Sequence, residues 1–151
     1  MKTHKVWYSW EDYMQDMRAI DWLKFDHVVG IYRGSLPMAV HISNTRDVPM
    51  SIVGFQTRDG TDKNPYWIHN ATIKTEDEVQ KILVVDDIYD TGYTMNSVIE
   101  FIKRNRTRPS AMPKVYGYCL FGKQNAKEIV YSNEHDGSWI VFPWEITDEP
   151  V

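Results

Sequence analysis

Apolar positions along the chain switch between a helical period and continuous strand-like runs. Tyr13, Met14, Met17 and Ile20 recur at helical spacing. They follow Ser9-Trp10-Glu11-Asp12, where a hydroxyl cap and first-turn acids predict a helix start. Val28-Val29-Gly30-Ile31-Tyr32 predicts a strand, Arg33-Gly34-Ser35 a turn, and Pro37 the first position of a helix reaching about Asn44. Met50 to Phe55 reads as another strand. Ile82-Leu83-Val84-Val85 is a short buried strand, and Met95, Val98, Ile99 and Ile102 share one face of the helix after it. Pro109 and Pro113 then break the chain before strands at Val115 to Phe121 and Trp139 to Phe142. Strands alternating with helices predict an α/β fold with a mostly parallel sheet flanked by helices. Residues 56–75 are rich in Asp, Gly, Asn, Pro and Thr around an aromatic island, Tyr66-Trp67-Ile68. They predict a long loop or mobile hairpin, and a connection of that length is usually functional.

Composition narrows the class. At 151 residues the chain, 1–151, is one domain with room for a proper core. It is 42% hydrophobic and 25% charged, which is globular rather than disordered. A net charge of −4 favours neither nucleic acid nor an anionic membrane as partner. The basic cluster Lys103-Arg104-Asn105-Arg106-Thr107-Arg108 reads as a solvated helix end whose cations suit the C-terminal dipole. Cys119 is the single cysteine, so no disulfide forms within the chain, and its apolar run argues against a nucleophile. The N-terminal residues hold neither a signal-peptide apolar region nor a membrane span. A reducing, cytoplasmic setting is the expectation, and the sequons at Asn70 and Asn105 are then chance matches. Six Trp and nine Tyr exceed what a small acidic monomer needs. They predict a homodimer or homotetramer, with Trp7-Tyr8-Ser9-Trp10, the helix through Tyr13 and Met17, and the Pro37-Met38 helix as contacts.

Candidate chemistry concentrates in residues 82–94. Asp86 and Asp87 stand at the end of the buried strand, and Asp90-Thr91-Gly92-Tyr93-Thr94 turns into the helix. A strand end, a hydroxyl-rich turn and a helix N-terminus make an anion cradle, because free backbone N–H groups and the helix dipole converge there. Acids beside such a cradle would repel phosphate unless they hold a cation or sugar hydroxyls. The pairing points to a sugar phosphate with a metal ion. Elsewhere, Gly117 to Lys123 has P-loop spacing, but Gln124 replaces the required hydroxyl and bulky residues fill the interval.

The run of four hydrophobic residues, two acids, two hydrophobic residues and Asp-Thr-Gly-x-Thr resembles the phosphoribosyl pyrophosphate signature of type I phosphoribosyltransferases. Similarity to the short xanthine-guanine enzymes extends over nearly the whole chain. It implies a Rossmann-like core with a flexible loop over residues 56–75 and a small C-terminal hood. It also implies that Asp90, Thr91, Gly92, Tyr93 and Thr94 hold the 5-phosphate. Asp86 and Asp87 would hold the ribose 2- and 3-hydroxyls, directly or through Mg²⁺, as its ligands. Arg33, Gly34 and Ser35 resemble the pyrophosphate loop Ser-Arg-Gly-Gly, with Tyr32 and Ser35 departing from it. In that family the Arg-Gly peptide is often cis, which is the expectation for Arg33-Gly34. Lys123 would donate to the 6-oxo group, Trp139 would stack on the base, and Ile140 would read its edge through the backbone. Asp90 would act as general base. The implied activity is transfer of a phosphoribosyl group to guanine, xanthine or hypoxanthine in purine salvage, with phosphoribosyl pyrophosphate and a base as partners. Alternatives are a non-catalytic regulator of the same fold and a transferase for a pyrimidine or modified base.

Overall fold

The computed structural model describes residues 4–55, 64–69, 81–105, 114–123 and 128–145. Among these residues eight strands are β1 (Lys5–Trp7), β2 (His27–Tyr32), β3 (Met50–Gly54), β4 (Tyr66–His69), β5 (Lys81–Ile88), β6 (Lys114–Gly122), β7 (Ile129–Glu134) and β8 (Trp139–Val141). Three helices are α1 (Trp10–Ala19), α2 (Leu36–Arg46) and α3 (Tyr93–Arg104), and Pro143–Glu145 forms a single 3₁₀ turn. Six strands make one sheet in the order β4-β3-β2-β5-β6-β7. All neighbours in it are parallel except β3 and β4. The predicted α/β architecture is therefore the observed one.

Side-chain alternation explains the three layers. In β5, Leu83 and Val85 pack with Tyr13, Met38, Ala39 and Ile42 of α1 and α2. Ile82 and Val84 pack with Met95, Val98, Ile99 and Ile102 of α3. Both faces of the strand are buried, which is why it reads as a continuous apolar run rather than an alternating one. α1 begins as the sequence predicts: Ser9 Oγ accepts from Asp12 N–H and Asp12 Oδ2 accepts from Ser9 N–H, a complete capping box.

Several elements depart from expectation. β5 runs on through both acids to Ile88, because β6 continues to pair with it as far as Phe121. The aromatic island is β4, antiparallel to β3, so a hairpin partner does exist there. Residues 56–63 and 70–75 of the expected mobile segment lie outside the described residues. β1 and β7 are strands that the sequence pattern does not announce. β8 does not join the main sheet; it pairs in parallel with β1, Lys5 opposite Trp139 and Val6 opposite Ile140. Of the expected interface residues, Tyr8, Tyr13 and Met38 are buried within the chain instead. Trp7, Trp10 and Met14 remain exposed.

Candidate active site

The site forms at the C-terminal ends of β2, β5 and β6, where the parallel sheet leaves a crevice. Strand alternation separates the two acids. Asp87 follows Val85 and Leu83 onto the α2 face, and Asp86 follows Val84 onto the α3 face. Asp86 Oδ1 accepts from Asp87 N–H at 2.9 Å, and Asp87 Oδ1 accepts from Ile88 N–H at 2.8 Å. Burial pushes both carboxyls up, and for Asp86 the neighbouring Asp87 charge adds to it. A cation or sugar hydroxyls beside them would offset that cost.

The turn after β2 comes directly against Asp87. A Cβ built on Gly34 would lie 2.7 Å from Asp87 Oδ2, so only glycine permits the approach. Leu36 N–H donates to Arg33 C=O at 3.1 Å, which closes the turn. Among the described residues the cis peptide is Tyr32–Arg33, one residue before the expected Arg33–Gly34 bond. Ser35 is fully buried, and its hydroxyl donates to Ile31 C=O at 2.6 Å. Its side chain is thus committed to the core, which leaves only its backbone for the expected pyrophosphate contact. Arg33 is exposed.

Thr91, Gly92 and Thr94 line a 90 Å³ pocket with Ile88, Tyr89, Asp90 and Met95. Gly92 caps α3 in the left-handed region, at φ 84°. A side chain there would also collide with the Tyr89 hydroxyl. Thr91 Oγ1 accepts from Tyr93 N–H at 3.3 Å, while Tyr93 itself is half-exposed with its ring edge-on to Phe55. A hydroxyl turn leading into a helix N-terminus therefore stands where the sequence predicts an anion cradle.

A second cavity of 380 Å³ lies beside it, lined by Asp87, Asp90, His135, Trp139, Ile140 and Glu145 among others. Lys123 Nζ stands 2.6 Å from Asp90 Oδ1 at its edge. The hydrogen bond from Lys123, and then its charge, hold the Asp90 carboxyl below the usual carboxylate range. Trp139 is 62% exposed, leaving indole surface free, whereas Ile140 is buried and offers backbone. Phe142 anchors the segment from behind, stacked on Trp144 at 5.2 Å.

The structure thus brings Arg33, Gly34, Asp87, Asp90, the 91–94 turn, Lys123, Trp139 and Ile140 to one end of the sheet. Asp86 lies beside this group, outside the described lining of the larger cavity. One lining residue, His135, carries no motif signal; it is positioned by its N–H donating to Gly122 C=O at 2.7 Å. Glu145, the last residue of the Trp139–Glu145 run that resembles the family's base-recognition segment, accepts from Phe142 N–H at 3.3 Å. A lone histidine in a polar connection is recognisable only once the strands are paired. Cys119 is buried, and burial pushes its thiol well up, so it stays protonated.

A mostly parallel α/β sheet with an acid pair and an anion cradle at its carboxyl edge defines a nucleotide- or sugar-phosphate-binding class. Residues 9–150 match the phosphoribosyl transferase domain family, and the chain belongs to it. Similar proteins include the xanthine-guanine phosphoribosyltransferase of Nitratidesulfovibrio vulgaris, 23% identical over 149 residues, covering 91% of this chain and 82% of that protein. The transcriptional regulator GfcR of Methanoculleus marisnigri is 28% identical over 114 residues, covering 76% of this chain and 52% of that protein. Among solved structures, the xanthine-guanine-hypoxanthine phosphoribosyltransferase of Helicobacter pylori has the same fold. Its TM-score is 0.73 at 23% identity, covering 96% of this chain and 95% of that one. The protein is a type I phosphoribosyltransferase, like the xanthine-guanine enzymes.

Proposed function

We propose that the protein transfers the 5-phosphoribosyl group of phosphoribosyl pyrophosphate to a 6-oxopurine, releasing pyrophosphate, in purine salvage. The observation that carries this reading is the Asp90–Lys123 pair at the mouth of a Trp139-walled cavity, directly beside the 91–94 cradle. Purine N9 bonds to C1 of the ribose as the C1–O bond to pyrophosphate breaks, and the electron pair leaves with pyrophosphate. Asp90, held ionised, takes the proton near purine N7. Lys123 donates to the 6-oxo group, Trp139 stacks on the ring, and Ile140 meets its edge through backbone groups. Backbone amides of Thr91 to Thr94 hold the 5-phosphate, and Arg33 with the Gly34–Ser35 backbone holds the pyrophosphate.

Asp86 and Asp87 suit Mg²⁺, which prefers oxygen ligands, few protein carboxylates and substrate phosphates. Two half-buried carboxyls raised by desolvation gain from a nearby dication. Among the described residues no larger group of acids and histidines competes for it. The ion would supply charge neutralisation on the departing pyrophosphate.

We place the protein in the cytoplasm, as a homodimer or homotetramer using exposed Trp7, Trp10 and Met14. No described helix is long and apolar enough to cross a membrane. Light scattering that gives a mass near 17.8 kDa at micromolar concentration would overturn the assembly.

The similarity to a transcriptional regulator favours one second reading, a ligand-binding protein without turnover. Incubating the protein with phosphoribosyl pyrophosphate, Mg²⁺ and a panel of guanine, xanthine, hypoxanthine, adenine and uracil separates the readings. Pyrophosphate release with 6-oxopurines is expected. Release with none of the bases rules out the enzyme reading, and release with uracil alone moves the substrate class to pyrimidines.

A further inference from the structure

A cavity of 560 Å³ opens at the opposite end of the sheet from the catalytic crevice. Its wall runs from Trp22, Leu23 and Lys24 across Lys81 and Lys114, which begin β5 and β6, to Tyr116 and the start of β7. Asp87 lies six residues beyond Lys81 on β5, about 20 Å away at the rise of a strand. The two ends of the sheet therefore hold separate sites.

Charge at this end is unusual for an acidic protein. Lys81 and Lys114 are direct strand partners, and like charges in that relationship repel. Lys24 brings a third ammonium. Among the described residues none of the three forms an ion pair. The carboxylate in the wall, Glu128, is engaged by Lys103 at 3.7 Å. Asp26 Oδ2 takes the Lys81 backbone N–H at 3.0 Å.

The apolar side is equally specific. Trp22 is 64% exposed, and among the described residues no ring packs on its indole. Tyr116 is fixed by its hydroxyl donating to Lys24 C=O, and the Lys114 ammonium lies 5.8 Å from its ring centroid. An exposed indole beside three cations that no described carboxylate pairs suits a ligand that is aromatic at one end and multiply anionic at the other. The volume is that of a small-molecule site.

We propose that this cavity binds a nucleoside phosphate, with the base on Trp22 and the phosphates on Lys81 and Lys114. Magnesium-free ATP is the probe, because its 6-amino purine is a poor match for the Lys123 end. Amide chemical shifts of the full chain are followed on titration with ATP, with adenosine and with inorganic phosphate. ATP should shift the amides of residues 22–24, 81, 114–116 and 128–130. The Lys81→Gln/Lys114→Gln double variant should weaken ATP about tenfold or more, by loss of charge-assisted bonds. Trp22→Ala should weaken ATP about tenfold while leaving phosphate unchanged, by loss of base stacking. The double variant should keep wild-type pyrophosphate release. No shift at this end with ATP overturns the proposal. Shifts by phosphate as strong as by ATP, insensitive to Trp22→Ala, reduce the site to a general anion patch and overturn the nucleotide assignment. Shifts confined to residues 91–94 place all binding at the catalytic end and overturn it equally.

Discussion

Lys123 Nζ lies 2.6 Å from Asp90 Oδ1, so the residues proposed as purine donor and general base hold each other. Under the proposed function an incoming 6-oxo group must draw Lys123 away from Asp90. Base recognition and release of the general base would then be one event.

Removing the charge of Asp90 tests its role. Asp90→Asn should lower turnover about a hundredfold or more, the scale of general acid–base contributions. Phosphoribosyl pyrophosphate should still bind, since the cradle is mostly backbone. Calorimetric titration and steady-state rates on one preparation separate the two effects, and near-wild-type turnover removes Asp90 from the chemistry.

Removing Lys123 acts on both partners. Lys123→Met should weaken 6-oxopurines about tenfold or more relative to adenine, by loss of a charged donor. It also takes away the bond that holds the Asp90 carboxyl low. The acid limb of the kcat/KM profile should therefore move to higher pH. An unmoved limb with equal losses for both base types would take Lys123 out of the pocket.

Gly34→Ala puts a methyl 2.7 Å from Asp87 Oδ2, closer than carbon and oxygen approach. Either the 33–35 turn or Asp87 must give way. KM for phosphoribosyl pyrophosphate should rise about tenfold or more, on the scale of a misplaced binding group, with a smaller change in base KM. Unaltered kinetics would mean that the Gly34–Asp87 approach has no part in substrate binding.

His27 gives a pH prediction at the other end of the sheet. It is fully buried in β2, with Nε2 2.7 Å from Ser51 Oγ and Nδ1 unpartnered. Burial lowers its pKa from 6.5 to about 4. The unfolded chain then binds the extra proton first on acidification. Stability from neutral His27 is complete above the unfolded value and is lost as pH falls toward the folded one, by up to about 3 kcal/mol. Asp86, raised by burial, contributes the opposite slope, so the informative quantity is a difference. Urea unfolding of wild type and His27→Gln at pH 7 and pH 4.5 should show the variant losing less on acidification. Parallel losses would mean that His27 is not the titrating group.

Legibility in the sequence followed chemistry. The β5–α3 unit was readable because buried runs on both faces and a helical stripe are strong patterns, and because an acid pair at a strand end is hard to explain structurally. β7 was not readable, since Ile129-Val-Tyr-Ser-Asn-Glu134 is short, half-buried and mixed in polarity at the sheet edge. β1 was obscure because it has three residues, and β8, although legible as a strand, gave no sign that its partner would be β1 rather than the main sheet, since the two find each other only in three dimensions. Ser35 stood in the pyrophosphate-loop motif as a departure from its second glycine, with nothing to say where its hydroxyl goes. Its actual partner, the Ile31 carbonyl, could be known only from the turn geometry.

The β1–β8 pairing sets an order of assembly. Lys5 and Trp139 become neighbours only after almost the whole fold has been drawn into the loop between them. Closing so long a loop is entropically costly unless the intervening chain is already compact. The half of the crevice built from residues 32–36 and 86–94 can therefore form early in synthesis, on contacts local to β2, β5 and α3. The wall that carries Trp139 is set last, when the first strand finds its partner. An affinity for the sugar phosphate should thus precede any capacity to choose a base as the chain matures.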